Sequence, residues 1–422
     1  MKGSALLPLF IAALTPLLIL TIIVASASSG GIGWRPAILW TNTFGNPARY
    51  DSATVIASDS SGIYVEGYVN SSGAFGDGPG NLFLSKYRQD GEIIWLRTIG
   101  DTNSSYINGM SISPDGIYLS EANRTGWSIQ KYDLTGNKLW EKEFDIGNIQ
   151  AIASTPTDVF VAGIARNALF VREYDKVGNL LWTDTFANST YGEAVTGLYA
   201  SGSGAYVVGN DVVGTPPKSG VFFINYGQNG QVTWSHQPPG GTSEVSGDST
   251  AIYLTGQSLY KYDLSGNLVW QTPIDSPDSS EVTASSNSVD SSGVYVSAMT
   301  YRSHDFLARY DLNGNKVWSI SLPTTAQDFN GGVKPYRLTA GLEGVYIAGA
   351  IGGNGGSGAL VEGISSSSSL VVFGVNPPLS FVILGGPIGI SVASLFLFRK
   401  LRRKRIQPRR IGPAQRSLPI AD

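Results

Sequence analysis

Between about residues 38 and 364, short apolar stretches alternate with polar turns, and the alternation repeats. One unit is a turn followed by an apolar strand. It reads Gly62-Ile-Tyr-Val-Glu-Gly67, Gly116-Ile-Tyr-Leu119, Asp158-Val-Phe-Val-Ala-Gly163, Gly204-Ala-Tyr-Val-Val-Gly209, Ala251-Ile-Tyr-Leu-Thr-Gly256, Gly293-Val-Tyr-Val296 and Gly344-Val-Tyr-Ile-Ala-Gly349. A second unit is a hairpin ending in tryptophan, as in Lys131-Tyr-Asp-Leu-Thr-Gly-Asn-Lys-Leu-Trp140. Close copies end at Trp182, Trp270 and Trp318, and looser ones at Trp95 and Trp234. Alternating apolar residues mark half-buried strands. The Gly-Asn and Asp-Gly pairs supply the positive φ of a tight hairpin turn.

A lone Ile38-Leu-Trp40 strand stands in front without its hairpin partner. Along the set Trp40, Trp95, Trp140, Trp182, Trp234, Trp270 and Trp318 the spacing runs from 36 to 55 residues, room for four short strands each. Four-stranded blades at that period predict an all-β, seven-bladed β-propeller. After Trp318 there are strands but no further tryptophan, so the last blade lacks its outer strand. The pattern predicts closure by Ile38–Phe44 pairing beside Ala359–Ile364, which covers two free sheet edges. The alternative is that 370–375 supplies the strand and Trp40 sits on an extra partial blade. The seven tryptophans (Trp40, Trp95, Trp140, Trp182, Trp234, Trp270, Trp318) are expected to pack between blades.

Both chain ends are membrane-directed. Residues 1–27 combine Lys2, an apolar run from Ala5 to Val24 and Ala25-Ser-Ala27, the pattern of a cleaved signal peptide. The run also has the length of an uncleaved signal anchor. Residues 379–398 hold no charge, and eight cations follow within 399–410. This is a transmembrane helix with a stop-transfer flank, so the basic tail 399–422 is expected in the cytoplasm. Residues 365–378 read as a Ser-rich linker.

Charge sharpens this division. The region between the ends holds 19 Lys and Arg against 31 Asp and Glu, although the whole chain is only at −3. An acidic ectodomain and a cationic tail are joined in one chain, and nucleic acid is not an expected partner. The absence of cysteine excludes disulfides and thiol chemistry. Two histidines, His236 and His304, leave little for imidazole chemistry.

The Lys-Tyr-Asp-x-x-Gly-Asn-x-x-Trp hairpin followed by Gly-Ile-Tyr-Val-x-Gly resembles the SBBP-type propeller repeat, related to PQQ-like repeats. The resemblance covers about 38–364. It implies a secreted or surface-exposed seven-bladed propeller, found in bacteria and archaea, and carries no cofactor residue over to this chain.

In such a blade the A–B and C–D turns share one face, and the B–C and D–A loops share the other. Here the first set is short. Length falls in the second set, including Asn70–Asn81, Asp211–Gly220, Asp101–Ile107, Ala187–Glu193, His236–Glu244, Thr272–Ser286 and Pro323–Pro335. Long loops on a rigid scaffold commonly carry recognition. Candidate partner-face residues are Tyr106, Tyr191, Tyr301, Arg302, His304 and Asp305. Asn70, Asn103, Asn123 and Asn188 head Asn-x-Ser/Thr sequons and are candidate glycosylation sites.

No catalytic, cofactor-binding or metal-binding residue is assigned. Asp311-Leu-Asn-Gly-Asn315 lacks the spacing of a calcium loop and reads as turn chemistry. Acidic loop residues such as Asp77, Glu193, Glu244 and Asp278 leave Ca²⁺ as a candidate ion. The expectation is a non-enzymatic, single-pass protein of the cell membrane with an extracellular propeller. It would act as a binding, adhesion or protein-interaction module, through its long-loop face, for a cell-envelope protein or glycan. The alternative is an extracytoplasmic hydrolase or lyase with an acidic, cation-binding loop face.

Overall fold

The structure, a computed structural model, describes residues 32–372 except 46–48, 73–79, 102–104, 124–125, 145–146, 167, 189–193, 214–217, 276–281, 301–304, 323–332 and 354–355. The proposed signal segment, the 379–398 span and the basic tail lie outside the described residues. Among the described residues, no helix is long and apolar enough to cross a membrane. The propeller is the unit Pro36–Ser368. The other unit gathers 1–35 and 369–422, of which only the strand ends 32–35 and 369–372 are described.

The propeller has seven blades. Blade 1 is β2 (Tyr50–Asp59), β3 (Gly62–Ser71), β4 (Asn81–Tyr87) and β5 (Ile93–Asp101). Blade 2 is β6 (Ser105–Ser113), β7 (Gly116–Asn123), β8 (Gly126–Tyr132) and β9 (Lys138–Phe144). Blade 3 is β10 (Asn148–Ser154), β11 (Asp158–Ala165), β12 (Ala168–Asp175) and β13 (Leu180–Asn188). Blade 4 is β14 (Ala194–Ser201), β15 (Gly204–Val213), β16 (Lys218–Tyr226) and β17 (Val232–His236). Blade 5 is β18 (Thr242–Gly247), β19 (Ala251–Gly256), β20 (Ser258–Asp263) and β21 (Leu268–Pro273). Blade 6 is β22 (Val282–Asp290), β23 (Gly293–Thr300), β24 (Asp305–Tyr310) and β25 (Lys316–Ser321).

Blade 7 joins the two ends of the chain. It is β26 (Val333–Ala340), β27 (Gly344–Gly353) and β28 (Gly356–Val372), completed by β1 (Ile32–Phe44), which pairs with β28. This is the closure expected from the orphan Trp40 strand, and not the one supplied by 370–375. Thr41 donates its hydroxyl to Glu362 Oε1 at 2.8 Å across the join. The inner strands β2, β6, β10, β14, β18, β22 and β26 touch in sequence, and β26 returns to β2, so the ring is closed.

Burial grades outward, and the sequence says why. The Gly-x-Tyr-Val strands are second from the axis and lie between neighbouring sheets, so they are buried on both faces; β19 is buried throughout. Outer strands such as β9 are largely exposed. The core is not one mass but seven clusters, each drawn from two adjacent blades. The cluster of Phe83 and Tyr87 with Tyr346 and Val361 seals the junction of blades 1 and 7, and Trp40 packs on it.

The tryptophans lock each blade to the next. Each of six donates its indole N–H to a backbone carbonyl of the following blade. Trp40 reaches Gln89, Trp95 Leu134, Trp140 Lys176, Trp234 Leu264, Trp270 Leu312, and Trp318 Ser366. Trp182 makes no such bond, and its ring lies against Gly230. The turn glycines have φ near +80°, and a Cβ on Gly230 would fall 2.6 Å from the Trp182 ring. Glycine is required there both for the turn and for the close approach.

Candidate functional site

The two ends of the propeller differ in chemistry. At one end lie the A–B and C–D turns, whose carboxylates are already engaged. Asp133, Asp175, Asp263 and Asp311 each accept the N–H and the side-chain amide of the Asn four residues on. These asparagine hydrogen bonds hold all four carboxyls below the usual carboxylate range. Asp59, Asp248 and Asp290 accept backbone N–H groups in the A–B turns. The Asp311 loop is therefore a turn whose carboxylate is spent on Asn313 and Asn315. Between blades 2 and 3 the same end carries an ion cluster, with Lys131 and Lys176 at 2.6 and 3.2 Å from Asp115.

At the other end lie the longest connections, 72–80, 274–281 and 322–332. Asp211–Gly220 is mostly strand rather than loop. Asp211 pairs with Gly220, Val212 with Ser219 and Val213 with Lys218, so only 214–217 lie between the strands.

On this half, every inner strand carries an irregularity at the same place. The register shifts between Ala53 and Val55, Ile107 and Gly109, Ile149 and Ala151, Val195 and Gly197, Thr242 and Glu244, Ala284 and Ser286, and Pro335 and Arg337. A bulge adds one residue to a strand and re-aims the chain. The seven extra residues are Thr54, Asn108, Gln150, Thr196, Ser243, Ser285 and Tyr336, all able to hydrogen-bond.

Thr54, Asn108, Thr196 and Ser285, together with Val55, Ile107 and Arg337, line a cavity of about 450 Å³. Its wall comes from five blades around the axis. Asn108 donates to the Ile149 carbonyl at 2.8 Å, and Gln150 accepts the Val195 N–H at 2.9 Å, so these two side chains also tie neighbouring blades. The Thr196 hydroxyl has no hydrogen-bond partner among the described residues.

The residue after each bulge is Val55, Gly109, Ala151, Gly197, Glu244, Ser286 or Arg337. Small or apolar side chains thus give way to opposite charges in blades 5 and 7. Arg337 donates through Nη1 to Glu244 Oε2, passing over blade 6. Burial raises the Glu244 carboxyl from its ordinary value, and Arg337 opposes that rise. Glu66 lies beneath Thr54, accepting its hydroxyl at 2.7 Å. It is 1% exposed, and burial pushes it up to about 8.

Of the partner-face candidates, Tyr106 and Asp305 fall on described strands. Tyr191, Tyr301, Arg302 and His304 lie outside the described residues. Tyr106 falls in the inner strand β6, and its side chain is outside the description. Asp305 begins β24 and is buried, 7% exposed. Of the sequons, Asn70 is exposed at φ 59°, its N–H bonded to Asp51. Asn123 and Asn188 end β7 and β13, and Asn103 lies outside the described residues. Among the described residues, no three His, Asp or Glu are grouped to hold a metal. The sequence pattern does not single out Arg337, and it places Glu244 among the loop acids. The signal that finds both is the alignment of the seven inner strands at the bulge.

Residues 21–264 and 128–333 match the family model described as outer membrane protein assembly factor BamB. Among solved structures, BamB from Moraxella catarrhalis is 12% identical, covering 78% of this chain and 97% of its own, with a TM-score of 0.43. Raptor from Chaetomium thermophilum is 10% identical over 79% of this chain and 30% of its own, with a TM-score of 0.52. Sqt1 from Saccharomyces cerevisiae is 12% identical over 73% of this chain and 82% of its own, at 0.45. The Raptor likeness speaks to fold alone. No curated protein matches the sequence.

Proposed function

We propose a binding role for this chain, which belongs to the PQQ-like propeller family of the outer membrane protein assembly factor BamB. In this reading it is a non-enzymatic interaction module. The long-loop face engages a protein or glycan of the cell envelope, and the apolar segment 379–398 anchors the chain in the membrane.

One observation carries the reading: the chemical asymmetry of the two ends. The tight-turn end is tiled by near-identical turns whose carboxylates are consumed internally. The longest and least repetitive connections leave from strand ends on the other half of the propeller. Rigid scaffold beneath variable loops is the usual arrangement of a recognition surface. The BamB description of the family supports an envelope setting for the partner.

The test is capture of envelope fractions by the purified full-length chain. Variants with 72–80 or 322–332 replaced by Gly-Ser segments of equal length should lose saturable capture while melting like the parent. Equal capture by parent and variants would overturn the assignment to this face.

A further inference from the structure

We propose that the axial cavity is a binding site for a carboxylate group, with Arg337 as its donor. The inference goes beyond the reading of the loop face and does not depend on it.

The cavity has the size of a small-molecule site, about 450 Å³. Its lining mixes apolar wall, Val55 and Ile107, with polar groups, Thr54, Asn108, Thr196 and Ser285. Arg337 is the charged residue among these lining residues. A guanidinium offers five N–H donors in a planar fork, and Glu244 takes one of them, at Nη1. Among the described residues the guanidinium has no other partner. Its side chain remains 35% exposed, whereas Glu244 is 16% exposed. Arg337 is therefore held in place on one side and open on the other. A carboxylate matches the open donors of the fork.

The other polar groups of the lining are taken up within the propeller or closed to solvent. The Thr54 hydroxyl is spent on Glu66, the Asn108 amide on the Ile149 carbonyl, and the Ser285 hydroxyl on Ser297. The Thr196 hydroxyl is unpaired among the described residues but closed to solvent, so it offers nothing to a ligand.

Glu244 competes with a ligand for the same guanidinium, and this gives the test its sign. The full-length chain is titrated with succinate, with a short peptide ending in Asp, and with succinamide as the uncharged control. Succinate or the peptide should bind saturably and succinamide should not. The tighter of the two indicates whether the natural carboxylate is free or part of a polypeptide.

Arg337→Gln should weaken binding by about tenfold or more, the loss of a charge-assisted bond. Glu244→Gln should tighten it, which a merely structural pair would not do. Arg337→Lys, which keeps the charge without the fork, should fall between parent and R337Q, and guards against misfolding of the Gln variant. Binding no better than that of succinamide, or equal binding by folded R337Q, would overturn the proposal.

Discussion

A tryptophan over a glycine is the contact on which the blades are joined. Trp270 shows it well. Its indole N–H reaches the Leu312 carbonyl at 3.2 Å, and Gly314, at φ +87°, leaves room for the ring. Trp270→Phe keeps the ring stack and loses the hydrogen bond. It should cost about 1 kcal/mol in a urea melt. Gly314→Ala should cost more, about 2 kcal/mol, because it adds left-handed strain to a clash with Trp270 and Thr272. If both substitutions proved neutral, the lock would not be a source of stability.

The Glu66 carboxyl makes a prediction of opposite character. Its folded value, about 8, lies above that of an exposed Glu, so the folded chain holds a proton that the unfolded chain releases. Stability should therefore fall as pH rises from about 4.5 to about 8, and change no further through this group above that. Glu66→Gln keeps an acceptor for Thr54 and removes the titration. It should melt higher than the parent at pH 8 and match it near pH 4. A parent with no excess slope over Glu66→Gln in that window would contradict the assignment. The tryptophans and turn glycines are legible in the sequence because each recurs at a fixed place in a repeated unit. Glu244 and Arg337 are not, because each departs from its own repeat, and Glu66 lies within an apolar strand pattern that marks burial but not charge.

At the level of strands, the orphan at the front of the chain carried the most information. A tryptophan strand without a hairpin, and a final blade without a tryptophan, imply the same missing pairing, which β1 and β28 make. Removing β1 would bare the edge of β28 and unseat Trp40 from Tyr87 and Tyr346. Amide exchange at Ala359–Ile364 should then accelerate strongly, while β10 to β13, across the ring, stay protected. Uniform acceleration would mean that the ring opens as a whole. The bulges leave no legible mark in the sequence, since one added residue in a short alternating strand only shifts the phase of a weak pattern. The Asp211–Gly220 hairpin was hidden for a similar reason. Its Gly, Pro and Lys residues look like loop, but cross-strand pairing extends β15 and β16 into it.

As a unit, the propeller is a closed ring with one chemically saturated end and one open end. The repeat specifies the ring and the saturated end, because the same residues build every turn there. It does not specify the open end, where each connection differs in length and sequence, nor the cavity, which forms only when seven inner strands meet at the axis. The direct measurement is hydrogen–deuterium exchange of the full-length chain with and without saturating envelope extract. New protection should appear at the ends of β3, β4, β21, β22 and β26 that border the long connections, and leave the turns at Asp133, Asp175, Asp263 and Asp311 unchanged. Protection centred on those turns, with none at the long connections, would contradict the central claim that this propeller binds through its open end.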